Sequence, residues 1–325
     1  MSVDANSLPS LYGAIAQAHK ALRPEVAVTP LTYSARLCAL TGCEVYLKCE
    51  HLQHTGSFKF RGASNKIRQL PQVQRQLGVI TASSGNHGQG LALAGKVLGV
   101  PVTVYTTTSA SAYKLDAMRA LGAEVISLDL DPLSVELEAA RQASVQGKPF
   151  VSPYNDADII AGQGTIGIEL FEQAPDLDAV FVAVGGGGMI SGIGAALRTL
   201  NPKIDIIGCW PANAPTLQRS LEAGEIIEIE EADTISDGTA GGIEPGSITF
   251  ALCQALLTRT VLVSEQEIKT AMRDVAACER WIIEGAAGVA VAGMKKLAPE
   301  YRGKRVAVVI CGRNILLEKF LGAIQ

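Results

Sequence analysis

The chain has 325 residues, of which 48% are hydrophobic and 18% are charged, and its formal net charge is −4 at pH 7. This composition predicts a compact globular protein of about two domains, and it excludes a disordered chain and a basic surface for nucleic acid or anionic lipid. No apolar run approaches the roughly 20 residues of a membrane span, and the first ten residues lack the features of a signal peptide, so we expect a cytoplasmic protein.

Cysteine and histidine give no sign of a metal site or a disulfide framework. The seven cysteines include no C-x-x-C pair, and the chain has only four histidines. We therefore predict that the protein binds no metal through such residues. Glycine is more informative, because its 33 residues cluster, and clustered glycine marks places where the backbone approaches a ligand or turns sharply.

The first unusual stretch along the chain is LKCEHLQHTGSFKFRGASNK, residues 47–66, which places Lys59 between Phe58 and Phe60. A desolvated lysine has a lowered pKa and becomes a nucleophilic amine, the property needed for a Schiff base with a carbonyl cofactor. The alternative is a lysine whose stem packs while its ammonium reaches water. Taken alone, the stretch favours this second interpretation.

The rest of the chain alternates short β-branched runs with amphipathic stretches, which predicts an α/β fold with parallel sheets covered by helices on both faces. The predicted strands are residues 78–83, 102–107, 124–129, 179–184, 204–210 and 305–311, and helices are predicted near each, for example 266–279 and 284–297. We predict a small α/β domain, 78–152, inserted into a larger discontinuous domain made of 1–77 and 153–325.

A loop of small and polar residues, SSGNHGQG, follows the strand predicted at 78–83. Small residues at a helix start leave backbone N–H groups free to hold an anion such as a carboxylate. The alternative is an ordinary helix cap by Ser84 or Asn86, which explains one polar residue but not the whole row.

A second loop, VGGGGMISG at 184–192, has four consecutive glycines between a strand and a helix, which is typical of a phosphate held by backbone amides. A dinucleotide fingerprint does not fit, because its third glycine would fall on Ile190 and the next strand ends at Cys209 and Trp210 instead of an acidic residue. No G-K-[ST] follows, so we predict a phosphate monoester.

A third loop, CGRN at 311–314, follows the last predicted strand and by itself favours a plain strand-to-helix turn. Ligands collect at the carboxyl ends of parallel strands, so the three loops are expected to converge. A buried lysine, a phosphate-binding glycine loop and an anion-binding helix start together fit pyridoxal phosphate and an amino-acid substrate.

The chain resembles the fold type II pyridoxal-phosphate enzymes, specifically the serine/threonine dehydratase and serine racemase group. The similarity runs from TPL near residue 30 to CGRN and includes IAGQGTIGIEL (160–170), TISDGTAG (234–241) and EGAAGVAVAG (284–293). It implies the tryptophan synthase β-like architecture of two doubly wound, open parallel-sheet domains.

The resemblance also implies roles for individual residues. Lys59 would carry the cofactor and move the Cα proton, Phe58 would lie against the cofactor ring, Asn86 would bind its 3-hydroxyl, and Ser84 would be the acid/base on the opposite face in a racemase. The residues implied in phosphate binding are Gly185, Gly186, Gly187, Gly188 and Met189. Those implied in binding the substrate carboxylate are Ser83, Ser84, Gly85, Asn86 and His87.

Cys311 stands where the family usually has a serine or threonine facing the pyridine nitrogen. A thiol cannot donate a full proton to that nitrogen as a carboxylate partner would, so the ring stays a weaker electron sink. This favours β-elimination, and we expect an ammonia-lyase that converts a β-hydroxy amino acid to a 2-oxo acid and ammonia.

We expect a bulky substrate such as L-phenylserine, with threonine and serine reacting more slowly, because the CGRN ending resembles that of phenylserine dehydratases. The alternatives are a dehydratase of hydroxyectoine catabolism, a threo-3-hydroxyaspartate dehydratase, a serine racemase, a β-replacement enzyme and a non-catalytic cofactor-binding protein. The resemblance further implies a homodimer or homotetramer. It also implies loss of a divalent-cation site, since Trp210 and Thr216 occupy positions where acidic residues are expected. Arg313 is either a surface residue or part of the active-site mouth.

Overall fold

A computed structural model describes residues 8–325 of the chain. The first seven residues, part of the segment in which we expected no signal peptide, lie outside this range. Within it the strands are β1 (Leu31–Tyr33), β2 (Glu44–Lys48), β3 (Val79–Ala82), β4 (Val102–Thr107), β5 (Glu124–Leu128), β6 (Ala179–Ala183), β7 (Asp205–Pro211), β8 (Arg259–Val263) and β9 (Arg305–Val309).

The helices of the same residues begin and end as follows: α1 (Leu8–Leu22), α2 (Ala35–Thr41), α3 (Lys59–Gln69), α4 (Gln72–Leu77), α5 (Asn86–Leu98), α6 (Ala112–Ala120), α7 (Pro132–Gln146), α8 (Ala157–Gln173), α9 (Gly188–Leu200), α10 (Thr216–Ala223), α11 (Ile248–Leu256), α12 (Glu265–Glu279), α13 (Gly285–Leu297) and α14 (Leu317–Ile324). No helix of residues 8–325 is long and apolar enough to cross a bilayer.

The larger sheet has the strand order β1-β2-β9-β6-β7-β8, and only the β1–β2 pair is antiparallel. Strand β6 is interior, with Val180 opposite Ile206 on one side and Ala307 on the other. All five residues of β6 are buried, as expected for a parallel strand covered on both faces. Its carboxyl end therefore opens into the glycine loop from a rigid position in the core.

The smaller sheet is parallel, with the order β3-β4-β5. Helix α7 covers one face, where Ile80 and Tyr105 pack with Val135. On the other face the apolar cluster includes Phe60 of α3 and Leu91 of α5. Helix α3, which starts at Lys59, thus packs against the smaller sheet as well as against α8. The α/β class with two parallel sheets agrees with the sequence, whereas the exact domain boundaries stay a prediction.

Three helices near the cavity cross with almost no side chain between them. A Cβ placed on Gly162 of α8 would lie 2.6 Å from the Cα of Gly62 in α3. A Cβ placed on Gly192 of α9 would lie 2.6 Å from the backbone nitrogen of Gly164 in α8. Glycine is required at these positions because the backbones approach so closely. The crossings join the start of α3 to the start of α9 through α8.

A fully buried ionic cluster anchors the first turn of α3. Arg61 binds Glu50 at 2.8 Å and Glu169 at 2.7 Å, and Lys48 binds Glu169 at 2.6 Å. Burial would raise the pKa of the Glu169 carboxyl, but Arg61 and Lys48 hold that pKa below its usual value. Because breaking one buried pair leaves an uncompensated charge, the cluster keeps this turn in a single position.

Candidate active site

A cavity of about 300 Å³ lies where the carboxyl ends of β3, β6 and β9 meet, between the two sheets. The three loops predicted to converge all contribute to its wall. Every residue for which the sequence implied a cofactor or substrate role lines it: Phe58, Lys59, Ser83, Ser84, Gly85, Asn86, His87, Gly185, Gly186, Gly187, Gly188, Met189 and Cys311. Their individual roles stay predictions.

Lys59 is the first residue of α3 and is half-buried, facing the cavity. Its Nζ donates to the carbonyl oxygen of Pro153 at 2.8 Å and lies 5.2 Å from the centre of the Phe58 ring. Burial lowers the pKa of the Lys59 amine to about 8, and the nearby Glu284 carboxylate partly opposes that shift. The neutral fraction of the amine near physiological pH is therefore far larger than that of an ordinary lysine, and the neutral form is the one that a nucleophile or base requires.

The glycine loop Gly185–Gly188 connects β6 to α9 and passes closely under Tyr154. A Cβ on Gly186 would lie within 2.6 Å of three Tyr154 ring atoms, and one on Gly188 would lie 2.9 Å from the Tyr154 backbone. Gly187 caps α9 with φ 83°, a left-handed conformation that glycine adopts without strain. The first N–H groups of the 13-residue helix α9 have no partner within the helix, so the loop and helix start fit a phosphoryl group.

The SSGNHGQG loop is organised by Ser83, not by the residues expected to cap the helix. The Ser83 hydroxyl accepts from the backbone N–H of Gly85 at 3.2 Å and of Gly88 at 3.0 Å. The residue before α5 is Gly85, and no side chain caps that helix in the way expected of Ser84 or Asn86. The hydroxyl of Ser84, which is exposed, is therefore left to face the cavity.

His87 is buried and hydrogen-bonded through Nε2 to the carbonyl oxygen of Val151 at 3.2 Å. Burial, together with the charge of Lys59, lowers the pKa of the His87 imidazole to about 3. The ring is consequently neutral over the working pH range. It can shape the anion-binding loop, but it supplies no positive charge to a carboxylate.

Glu284 is the main residue that the sequence reasoning missed. It precedes α13 and is buried at the cavity wall, and Asn86 and Asn314 both donate to it. The Cys311 thiol lies 3.9 Å from Glu284 Oε1. Burial, and then the Glu284 charge, raise the pKa of Cys311 well above its usual value, so the thiol stays protonated. The only sequence signal was an acidic residue at the start of the EGAAGVAVAG stretch.

A second missed pair crosses the mouth of the cavity. Lys114 of α6 binds Asp237, in the segment between α10 and α11, at 3.1 Å, and both residues line the cavity. The Lys114 Nζ lies 3.8 Å from the position that a Cβ on Gly85 would occupy. It is the only lysine or arginine besides Lys59 among the lining residues. The Lys114 ammonium can therefore bind an anionic group of a ligand if the Asp237 side chain rotates away.

Three further positions lie outside the cavity wall. Trp210 is buried at the end of β7, and the Thr216 hydroxyl donates to Glu231. These two positions therefore supply no carboxylate to a divalent cation. Among residues 8–325 no group of three or more His, Cys, Asp or Glu side chains could hold a metal ion. Arg313 is exposed, and its backbone N–H donates to the carbonyl oxygen of Gly56 at 3.0 Å, outside the cavity lining.

Several known proteins are similar to this chain in sequence or in fold. The sequence profile of the family described as "Pyridoxal-phosphate dependent enzyme" matches residues 22–312. An L-threonine ammonia-lyase of Thermotoga maritima is 43% identical over 93% of this chain and 75% of its own length. An L-threo-3-hydroxyaspartate ammonia-lyase of a Pseudomonas species is 37% identical over 91% of this chain and 93% of its own. The solved structure of processed threonine deaminase isoform 2 from Solanum lycopersicum superposes with a TM-score of 0.94 at 33% identity, covering 99% of this chain and 94% of that one.

Proposed function

The chain belongs to the pyridoxal-phosphate dependent enzymes, and from this premise we propose that it is an ammonia-lyase acting on a β-hydroxy amino acid. The observation that carries the proposal is the arrangement of one cavity. A partly neutral lysine amine, the glycine loop at the start of α9 and the SSGNHGQG loop at the start of α5 all face it. These are the groups that the aldehyde, the phosphoryl group and the substrate carboxylate require.

Pyridoxal phosphate, when bound, supplies an aldehyde that captures the substrate amine and a ring that withdraws electrons from Cα. The residues of the chain would hold and orient its parts: Lys59 for the aldehyde, Phe58 for the ring face, Asn86 for the 3-hydroxyl, Cys311 for the pyridine nitrogen, and Gly185, Gly186, Gly187, Gly188 and Met189 for the phosphoryl group. The protonated thiol of Cys311 places no ionised acid at the pyridine nitrogen, which supports elimination over transamination.

The amine of Lys59 removes the Cα proton of the substrate, and its pKa of about 8 leaves enough neutral base to do so. The β-hydroxyl leaves as water by taking up one proton, which balances the proton that Lys59 removes from Cα. The remaining enamine tautomerises to an imine, which water hydrolyses to a 2-oxo acid and ammonia. The loop Ser83–His87 holds the substrate carboxylate through backbone N–H groups while neutral His87 supports the loop. Ser84 is exposed on this loop and would serve as acid/base in a racemase side reaction.

The proposed preferred substrate is L-phenylserine or a similarly bulky β-hydroxy amino acid, which we infer from the CGRN sequence. A second candidate is threo-3-hydroxyaspartate. Two observations favour it: Lys114 lies at the cavity mouth, and the Pseudomonas relative carries that name. A second carboxylate on the substrate would replace Asp237 as the partner of Lys114, and a hydrogen bond between charged groups contributes about 1.5–3 kcal/mol.

Rates of 2-oxo acid formation from phenylserine, threonine, serine and hydroxyaspartate test the proposal. We expect kcat/KM for phenylserine to exceed that for threonine by about tenfold, the effect of a few apolar groups in a matching pocket. If hydroxyaspartate is the best substrate, Lys114→Met should lower its kcat/KM by about 10- to 100-fold and leave threonine unaffected.

Lys319→Met is the matched control, because Lys319 also faces Asp237, at 3.9 Å, but does not line the cavity. A higher rate with threonine than with phenylserine would contradict the bulky-substrate proposal. Absence of a 2-oxo acid from all four compounds would remove the ammonia-lyase assignment, and a new amino acid formed on adding sulfide would indicate β-replacement instead.

We also propose that the chain assembles as a homodimer or homotetramer. Five large apolar side chains are between 40% and 52% exposed, two in the segments beside His51 and Trp281 and three at or just before α14: Leu52, Ile282, Leu316, Leu317 and Leu321. His51 stacks on Trp281 at 4.6 Å, which brings the segments of Leu52 and Ile282 together. Exposed apolar patches are typical of interfaces.

Sedimentation of the protein should give two or four times the mass of one chain. Leu317→Glu should reduce the sedimenting mass, whereas the control Leu137→Glu on α7 should leave it unchanged. A monomeric parent chain would contradict the proposal.

A further inference from the structure

The carboxylate of Glu284 is placed to control the side chain of Asn86. Glu284 is 4% exposed, and both of its oxygens accept from Asn86 Nδ2, at 2.9 and 3.0 Å. The backbone N–H of Asn314 donates to Glu284 Oε2 at 3.1 Å. An ionised carboxylate can only accept hydrogen bonds, so the end of the Asn86 amide that faces it must be the nitrogen.

Asn314 holds the other end of the same amide. Its Nδ2 donates to Asn86 Oδ1 at 2.6 Å and to the carbonyl oxygen of Thr55 at 2.7 Å. A backbone carbonyl cannot donate, so the contact with Thr55 fixes the orientation of the Asn314 amide. Asn314 in turn requires an oxygen from Asn86. Both ends of Asn86 therefore have partners that accept only one orientation.

The surrounding backbone restricts the cluster formed by Asn86, Glu284 and Asn314. A Cβ on Gly312 would lie 2.5 Å from Glu284 Oε1, so the loop after β9 closes tightly over the carboxylate. Thr55 has φ 64°, a left-handed conformation that strains a β-branched residue, and the bond from Asn314 holds its carbonyl there. The cluster joins parts of the chain that are far apart in sequence, so its geometry depends on the whole fold.

The charged and titratable groups around Glu284 are Lys59, Lys114, Asp237 and Cys311. Burial raises the pKa of Glu284 and Asp237 adds to the rise, whereas the Asn86 hydrogen bond and Lys114 oppose it. The cluster thus contains one buried acid whose hydrogen bonds come from two asparagines and whose neighbours carry both signs of charge.

We propose that Glu284 and Asn314 are positioning residues that lock the Asn86 amide with its nitrogen toward Glu284 and its oxygen toward Asn314, which leaves the second hydrogen of Nδ2 to donate to the cofactor 3-hydroxyl oxygen. This inference rests on the proposed function, in which Asn86 binds that oxygen. A donor at this position stabilises the ionised form of the oxygen. If the amide turned over, its carbonyl oxygen would face the same group and repel it. Two residues that do not touch the cofactor oxygen would thereby set its ionisation.

The test is a double-mutant cycle read by the absorption spectrum of the holoenzyme as a function of pH, without substrate. Asn86→Ala and Glu284→Gln are each expected to move the midpoint of the cofactor titration upward by about one pH unit, a tenfold change in the ionisation constant. The double variant should move it no further than Asn86→Ala alone, because Glu284 acts through Asn86. Asn314→Asp, which replaces the donating NH2 by a carboxylate oxygen, should reproduce the shift.

Glu222→Gln is the control, since Glu222 is exposed and remote from the cavity, and we expect its titration to match the parent. The inference is overturned if Asn86→Ala shifts the midpoint but both Glu284→Gln and Asn314→Asp leave it unchanged. It is also overturned if Glu284→Gln shifts the midpoint by the same amount in the Asn86→Ala background as in the parent. If Asn86→Ala itself changes nothing, the proposed cofactor role of Asn86 fails instead. Thermal unfolding of each variant identifies a misfolded one, and Asn314→Asp then provides the answer should Glu284→Gln not fold.

Discussion

Lys59→Ala is expected to lower kcat/KM for every amino-acid substrate by at least about 10⁴-fold, the scale seen when a catalytic nucleophile or base is removed. The variant should also fail to retain pyridoxal phosphate covalently after borohydride reduction. Its fold should be preserved, because Lys59 faces the cavity and makes one hydrogen bond, to Pro153. Peptide mapping of the reduced protein and steady-state assays measure both effects.

The same lysine gives a pH dependence whose sign follows from its environment. Burial lowers the pKa of Lys59 to about 8, so the neutral amine is populated above that pH and lost below it. Labelling of the cofactor-free protein at Lys59 by a small aldehyde and borohydride should thus rise with a midpoint near pH 8, well below the usual lysine value of about 10.4. Lys203→Ala, at an exposed position, serves as the control. Full labelling or activity in Lys59→Ala would contradict the assignment of this residue.

Gly186→Ala is the second change expected to have a large effect. The new methyl group would lie within 2.6 Å of the Tyr154 ring, and the loop must move to accommodate it. Overpacking of this kind costs about 1–3 kcal/mol of the free energy of unfolding. Movement of the loop also displaces the N–H groups at the start of α9. Cofactor affinity should therefore fall by about 100-fold, the effect of losing hydrogen bonds from these N–H groups to a charged phosphoryl group.

Gly194→Ala, within the helix α9 that follows the loop, is the matched control. Its Cβ would have no neighbour closer than 3.4 Å, and replacing glycine by alanine within a helix stabilises it by up to about 1 kcal/mol. Thermal unfolding and fluorescence titration with pyridoxal phosphate separate stability from binding. Unchanged cofactor affinity in Gly186→Ala would mean that the glycine loop does not hold the phosphoryl group.

The core strands could be predicted from sequence because buried parallel strands are continuous apolar runs. The strand predicted at 102–107 has the same limits in the structure, and β6 differs from the predicted 179–184 by one residue. Strand β1, which has only three residues, was not predicted. Strands β2 and β8 were not predicted either. They begin with Glu44 and Arg259, and charged residues at strand ends hide a five-residue run from a search for apolar segments.

The residues lining the cavity could be predicted where a loop has an unusual composition, as in SSGNHGQG and VGGGGMISG. The roles of Glu284, which also lines the cavity, and of its partner Asn314 in the CGRN loop could not be predicted, because they arise from contacts with Asn86 across 198 and 228 residues of sequence. Lys114 was missed for a similar reason, since its partner Asp237 is 123 residues away. Single charged or amide residues carry no local signal of this kind. Arg313 is the opposite case: it is an unusual residue in the CGRN loop, which the sequence analysis recognised, but it does not line the cavity.

The glycine crossings of α3, α8 and α9 have a consequence for how such a protein can diversify. Main chain touches main chain there, so the separation between the start of α3, which carries Lys59, and the start of α9 does not depend on any replaceable side chain. Substitutions can reshape the wall around Lys114 without altering that separation. New specificities can therefore arise by exchange of wall residues while the spacing that the coenzyme needs is inherited unchanged with the fold.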